Sequence, residues 1–360
     1  MNSNTQHRIN SSIARYLLII FFMMNITLQY SYSQSSIGGS PEMYLLRDVG
    51  TRPIALAGAY SAIANDPIAI FYNPAGFGFF NSTPSFTANV GALGLGRINS
   101  LLSYGQQISD NFGVGVGINS LFSGSFMGRD IRGNPTRNMS DNQFEFIAAG
   151  AYRLEFASFG ASVKYLNDNL SGSDLQANGF AFDLGTKFNV MDLFSFALSV
   201  RNLYGRMYWS NTSADYEVLP YEIRSGIAME WGFNSSTYET RSATTGELEQ
   251  VVVPATKYLL LSLESSFIEN AISPSYCIGL EVAPDEIIAF RGGIEIYGEK
   301  LGKPQLFPLN KWGAGVSLRP NLQNLIESLN FVSHIDYTIS NEYLSSSGIS
   351  HHISLTFILQ

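Results

Sequence analysis

The sequence predicts an all-β protein: a transmembrane antiparallel β-barrel of about 14 strands with an N-terminal plug. Three observations carry that reading. The composition is poor in charge, polarity alternates every second residue from about residue 85 onward, and the gaps between the alternating runs are by turns short and long. Of 360 residues, 14% are charged, against roughly 25% in ordinary soluble chains, while 45% are apolar and 13% aromatic. A net charge of −8 with scattered acidic residues argues against a nucleic-acid partner. One cysteine, Cys277, excludes an intramolecular disulfide, and four histidines leave little material for a metal centre, so no cofactor is expected.

Residues 1–33 read as a secretory signal peptide. Arg8 and Arg15 supply its positive start, Tyr16 to Leu28 an apolar run, and Ser31-Tyr-Ser33 small residues ahead of cleavage before Gln34. The alternative is an uncleaved anchor, for which the apolar run is short. Losing Arg8 and Arg15 would take the charge from −8 to −10. No later stretch has about 18 consecutive apolar residues. A membrane-embedded mature chain would therefore have to cross by strands, since only helices and closed barrels satisfy the backbone in lipid.

From residue 85 to the end, runs of alternating polarity predict strands near 85–93, 97–107, 112–122, 142–152, 156–167, 176–188 and 193–202. A second set lies near 221–231, 257–268, 275–282, 286–297, 312–319, 327–340 and 350–359. In the last, Ile353, Leu355, Phe357 and Leu359 oppose His352, Ser354 and Thr356, and residues two apart share a face of a strand. Short turns (109–111, 153–155, 189–192, 283–286) alternate with longer loops (123–141, 168–175, 203–220, 298–311, 341–349), as in outer-membrane barrels. Segment 232–256 is long where a short turn is due, which means either an insertion or a miscount by two strands.

The polar face carries charges of both signs, among them Lys164, Asp183, Lys187, Arg201, Glu222, Arg224, Arg291 and Glu295. In a barrel these line the lumen. In a soluble sandwich, the competing architecture, they would face water. Aromatic residues near strand ends (Tyr104, Tyr152, Tyr165, Trp231, Tyr258, Tyr297, Trp312) fit girdles at two bilayer interfaces. Gly113-Val-Gly-Val-Gly117 lies in an alternating strand with no helix after it, so it is not a nucleotide loop. It is the best candidate for a kink in the wall. His351 and His352 point to opposite faces and cannot share a metal. His334 has no nucleophile fixed beside it, and an enzyme is not expected.

Residues 34–84 form the third region, and 41–80 lack the period of two. Asn65-Asp-Pro67 signals a turn. In Asn73-Pro-Ala-Gly76, Pro74 biases Asn73 away from helix, and Gly76 would permit a positive φ. Either a luminal plug or a periplasmic extension fits.

The stretch from Arg52 through Asn65 and Asp66, followed by Phe71-Tyr-Asn-Pro-Ala-Gly76, resembles the N-terminal signature of the PorV/PorQ family, within the wider FadL-like group of outer-membrane barrels. Ser199-Val-Arg-Asn-Leu203, Leu219-Pro-Tyr-Glu-Ile223, Ile278-Gly-Leu-Glu-Val282, Ala289-Phe-Arg-Gly-Gly293 and His352-Ile-Ser-Leu-Thr-Phe357 extend it over residues 44–359. The resemblance implies a 14-stranded barrel in the outer membrane of a Gram-negative cell. It also implies a plug built around Arg52, Asn65, Asp66, Asn73, Pro74, Ala75 and Gly76. Its partners would be membrane lipid, exported cargo proteins and subunits of a type IX secretion machine. The function it implies is help in secretion or in surface attachment of exported proteins. The FadL-like relatives imply the alternative: passive transport of a hydrophobic small molecule through a lateral wall opening. Tyr204, Tyr208, Trp209 and Tyr216, in the loop expected at 203–220, are residue types that anchor protein interfaces.

Overall fold

The computed structural model describes residues 42–80, 83–173, 175–190, 193–210, 216–241, 248–253, 255–269, 271, 274–297, 309–320, 331–341 and 348–359. The signal peptide expected at 1–33 lies outside them. Among the described residues eighteen strands follow in chain order. They are β1 (Ser85–Ala92), β2 (Ile98–Ser109), β3 (Phe112–Phe122), β4 (Phe126–Arg129), β5 (Pro135–Leu154), β6 (Ala157–Ser171), β7 (Leu175–Val190), β8 (Phe194–Trp209) and β9 (Glu217–Val218). Then come β10 (Glu222–Gly232), β11 (Ser236–Arg241), β12 (Leu248–Val253), β13 (Tyr258–Ile268), β14 (Ser275–Ala283), β15 (Ile288–Tyr297), β16 (Leu309–Leu318), β17 (Phe331–Asn341) and β18 (Ile349–Leu359). Fourteen of them, all but β4, β9, β11 and β12, pair antiparallel with their neighbours around a closed barrel. Closure runs from Ser85↔Ile358 to Ala92↔His351, so the first and last strands leave no edge.

The alternation read from the sequence sets the two surfaces of this wall. In β7, Ala177, Ala181, Asp183 and Lys187 point inward and are buried, while Phe180, Phe182 and Leu184 point outward and are about half exposed. The same holds for Val116 and Ile118 on β3, Phe290 on β15 and Ile353 on β18. So large an apolar exterior requires hydrocarbon around it. A closed antiparallel barrel is the strand solution to spanning a bilayer, and this chain is an outer-membrane β-barrel. Among the described residues no helix is long and apolar enough to cross.

Several expected boundaries move. The loops expected at 168–175 and 203–220 begin later than expected, because β6 runs to Ser171 and β8 to Trp209. Tyr204, Tyr208 and Trp209 therefore sit on a strand. Segment 232–256 is an insertion: β11 and β12 form a separate hairpin, Ser236↔Val253 to Arg241↔Leu248, beyond the end of the wall that carries the short turns. Tyr258 belongs to no girdle. Its ring is buried on the luminal side, and its hydroxyl donates to Glu281 Oε1 at 2.5 Å.

The glycine strand is not kinked. β3 pairs residue for residue with β5 from Phe112↔Tyr152 to Phe122↔Asn142, and with β2 from Gly113↔Gln107 to Phe122↔Ile98. Register shifts once between β2 and β3, beside Ser109, and once between β15 and β16, at Glu295/Ile296, but the wall is most irregular between β7 and β8. There Phe180, Phe182 and Leu184 face Arg206, Leu203 and Val200, which puts two extra residues on β8. Asn202 and Tyr204 absorb them at φ 59° and 52°.

Residues 42–80 lie inside the barrel. Their elements are short: a 3-10 turn at Met43–Leu46, one turn of α-helix at Thr51–Ala55, and 3-10 turns at Pro67–Phe71 and Pro74–Phe79. The helix stops because Ala57 and Gly58 take positive φ, 51° and 92°. The molecule's main apolar core forms here. Leu56, Tyr60, Ile70, Phe71, Tyr72 and Phe77 are at most 1% exposed and pack against luminal side chains such as Leu101, Ile147 and Leu260.

Candidate functional site

Small residues on the wall bring the luminal segment close. A Cβ on Gly115 would lie 2.2 Å from the Phe77 ring, and one on Gly117 2.9 Å from Phe71. Across the barrel, a Cβ on Gly293 would lie 2.3 Å from the Leu56 carbonyl carbon. Each is a contact that no larger residue allows. The glycines expected to bend β3 instead make room for aromatic rings.

Charges then fasten the segment to the wall. Arg52 Nε donates to Glu281 Oε2 at 2.8 Å, and its Nη1 reaches Asn65 Oδ1 at 3.5 Å and Asp66 at 3.7 Å. Glu264 accepts from Tyr60 N and Ser61 N, both at 2.7 Å, and from Ser61 Oγ at 2.8 Å. Arg224 pairs with that same carboxylate and with Glu222 at 3.1 Å, and donates to Gly58 O at 2.5 Å. Arg201 bridges Glu222 and Leu45 O, each at 2.7 Å. Arg291 pairs with Glu281 at 3.2 Å and Asp336 at 2.5 Å. These arginines are no more than 7% exposed apart from Arg52, so desolvation is offset by multiple partners.

The expected luminal residues all face inward, but they fall into separate groups. Lys164 stands apart, 3.0 Å from Asp183, 3.3 Å from Glu145 and 3.0 Å from Asn202 Oδ1. Asp183 also accepts from Asn202 N at 2.9 Å, which fixes the bulge of β8. Lys187 donates to Ala64 O at 2.8 Å. Glu295 is buried opposite Cys277.

The N-terminal motif residues act as turn formers. Asp66 caps its turn by accepting from Ile68 N at 2.9 Å and takes the Tyr60 hydroxyl proton donor at 2.5 Å. Asn73 Oδ1 accepts from Ala75 N at 3.1 Å, while its Nδ2 donates to Ser61 O and Thr186 O. Pro74 starts that turn, and Ser158 Oγ donates to Ala75 O at 2.8 Å. Gly76 is not needed for a positive φ. It is needed because a Cβ there would lie 2.6 Å from Ala64 O.

Sequence reading missed Asp48, Lys311 and Glu42. Asp48 pairs with Lys311 and lies 3.8 Å from Arg224. Burial alone would raise its carboxyl, but Lys311 and Arg224 hold it below the usual carboxylate range. Glu42 meets the opposite environment. Burial, then Asp168, Asp141 and Glu217, push its carboxyl up to about 9. Neither acid sits in a periodic pattern, so no sequence signal marked them.

On the lipid side of β3 the wall is hollowed. An apolar groove of about 640 Å³ runs across β1, β2, β3, β5, β6 and β7. Phe86, Tyr104, Val116, Phe146, Tyr165 and Phe180 form its sides, and Gly117 lies at its floor. Gly117 is also where the Phe71 ring presses from within. Only glycine backbone separates groove and luminal segment at that level.

Neither a protein-family model nor a curated protein matches the chain. Solved structures do resemble it. The Ralstonia pickettii toluene transporter TbuX superposes with a TM-score of 0.53 at 14% identity, covering 88% of this chain and 99% of that one. The Pseudomonas putida toluene transporter TodX gives 0.52 at 12% identity, covering 87% and 97%. The CymD monoaromatic hydrocarbon channel gives 0.51 at 10% identity, covering 87% and 98%. At these identities what is shared is the fold, a closed outer-membrane barrel.

Proposed function

We propose that the chain passes hydrophobic small molecules across the outer membrane, with residues 42–80 as the hatch of the lumen. The carrying observation is the apolar groove in the lipid-facing wall, backed at Gly117 by the aromatic face of the luminal segment. A lipid-dissolved molecule reaches such a groove without passing through water, and five aromatic side chains in its lining suit flat apolar solutes. The fold shared with two toluene transporters and a monoaromatic hydrocarbon channel supports the same reading. It weighs less for the secretion role expected from the PorV/PorQ resemblance.

The test is uptake of radiolabelled toluene by cells carrying the wild type, the deletion or Ala148→Trp, which fills the groove from its exposed face. Uptake should fall to the deletion level on filling, while surface display of exported proteins stays unchanged. Equal uptake by wild type and deletion would sink the proposal. Loss of surface display in the deletion would restore the secretion reading in its place.

A further inference from the structure

The outward face of β5 to β8 changes character at the end away from the short turns. Phe146, Tyr165, Phe180 and Arg206 lie in one row across the four strands. Two residues farther out the row is Phe144, Asn167, Asn178 and Tyr208. Beyond it come Asn142, Asn169 and Gln176, then Ser140 and Ser171. All are at least partly exposed, while the intervening Leu166, Asp168, Ala177 and Met207 are buried on the luminal side. A barrel's lipid-facing band, about 25 Å tall, ends at such an aromatic row. The amide rows therefore continue the surface that meets hydrocarbon, at the height of the outer-leaflet headgroups.

The amides are ordered against one another. Asn178 Oδ1 accepts from Tyr165 Oη at 2.6 Å and from Asn167 Nδ2 at 3.0 Å. Asn178 thus keeps its NH2 group, and Asn167 its carbonyl oxygen, for an outside partner. A donor and an acceptor side by side match the hydroxyls of a sugar ring. Arg206, the one charged side chain in these rows, lies 4.4 Å over the Tyr216 ring, whose centroid is 5.9 Å from that of Tyr208. The neighbouring acids Asp141, Asp168 and Glu217 belong to the opposite face, where they surround Glu42. Farther out, the exposed stretch 129–137 adds Arg129, Arg132 and Arg137 against Asp130.

We propose that this face binds the headgroup of a phosphorylated glycolipid of the outer leaflet. The sugars lie against the amides of Asn167 and Asn178 and the Tyr208 ring, a phosphate lies on Arg206, and the acyl chains stay in the lipid below. Arginine meets phosphate through paired N–H bonds, and basic positions at a membrane surface recognise anionic headgroups. Tyrosine offers a sugar an apolar face and a polar tip. The site holds a resident lipid, not a passing solute, and does not depend on the passage of one.

The test is native mass spectrometry of the full chain in detergent, titrated with diphosphorylated lipid A, phosphatidylglycerol or monogalactosyl diacylglycerol. Lipid A should bind at one site per chain, about tenfold more tightly than phosphatidylglycerol, which has charge but no sugar. Arg206→Gln should weaken lipid A about fivefold and leave the galactolipid, which has no phosphate, unchanged. Asn167→Leu combined with Asn178→Leu should weaken both sugar lipids several-fold. Arg132→Gln, outside the rows, should change neither. Equal binding of lipid A and phosphatidylglycerol by the wild type would overturn the site. So would lipid A affinity that either the Arg206 variant or the double asparagine variant leaves unchanged. An Arg132→Gln effect as large as that of Arg206→Gln would also overturn it, by showing charge attraction without a site. Toluene uptake is read separately, so failure here leaves the passage reading standing, and the reverse.

Discussion

Residues 48–80 and residues 42–46 occupy the same lumen under opposite electrostatics. In the longer stretch each charge meets its complement: Asp48 with Lys311, Arg52 with Glu281 and Asp66, the Tyr60 and Ser61 amides with Glu264. In the shorter one, Glu42 is 7% exposed, sits at φ 51°, and faces Asp168, Asp141 and Glu217 with its Oε2 unbonded. What holds that turn is apolar packing of Tyr44 and Leu45 on Leu166, Met207 and Leu219, with single bonds from Tyr44 Oη to Phe144 O and from Arg201 to Leu45 O. Burial alone therefore says little about how firmly a luminal segment is fixed. The sign of the charges around it decides.

The largest expected effect comes from breaking the complementary side. Glu264→Gln removes one of the buried carboxylates around Arg224, leaving Glu222 and Asp48, and weakens the acceptor for both amides, a change of up to about 3–5 kcal/mol for a buried pair. Amide exchange at Tyr60 and Ser61 should accelerate by two orders of magnitude or more while the barrel strands stay protected. Unchanged exchange would mean that packing holds residues 48–80 and that the contrast is false. A smaller effect tests the glycine contacts. Gly293→Val drives a side chain into the Leu56 carbonyl and should cost about 1–3 kcal/mol, as overpacking does. Gly292→Val, on the opposite face with its nearest neighbour at 4.0 Å, should be close to neutral. Equal melting of the two variants would place the segment elsewhere in the lumen.

Strand alternation made the wall legible. Glu222 and Arg224 sit two apart and Asp183 and Lys187 four apart, and that even spacing alone assigns each pair to one face. Alternation failed where the backbone leaves it. Asn202 and Tyr204 turn left-handed, the alternation that turns Ala197, Ser199 and Arg201 inward is interrupted until Gly205 and Met207 resume it, and the run breaks at the point where β8 continues for seven more residues. Tyr258 was misassigned because position near a strand end does not say which face a tyrosine takes. The luminal segment was the least legible part. Asp48 and Lys311 are 263 residues apart in sequence and meet only once the barrel has closed. The Asn73-Pro74 turn could be read locally, but not Thr186 O, which the Asn73 amide reaches.

The smallest effect concerns Glu42 and carries a pH sign. An ordinary glutamate titrates near about 4.3, and this one is pushed up to about 9 by burial and by Asp168, Asp141 and Glu217. Between those values the folded protein holds a proton that the unfolded chain releases, so raising the pH through that window weakens the folded state. The contact is at full strength below the unfolded value and is lost as pH rises through about 9. Glutamine cannot ionise. Amides 43–46, corrected for intrinsic exchange, should open at least tenfold more often at pH 9 than at pH 6 in the wild type, each pH unit of that window being worth up to roughly 1.4 kcal/mol. In Glu42→Gln the difference between the two pH values should shrink markedly, what remains coming from Asp141. Asp168, held at 3.2 Å by Gln143 Nε2, keeps its own bond in either case, so the difference reports on Glu42. Matching pH profiles would show Glu42 ionised throughout and would remove the electrostatic contrast between the two stretches.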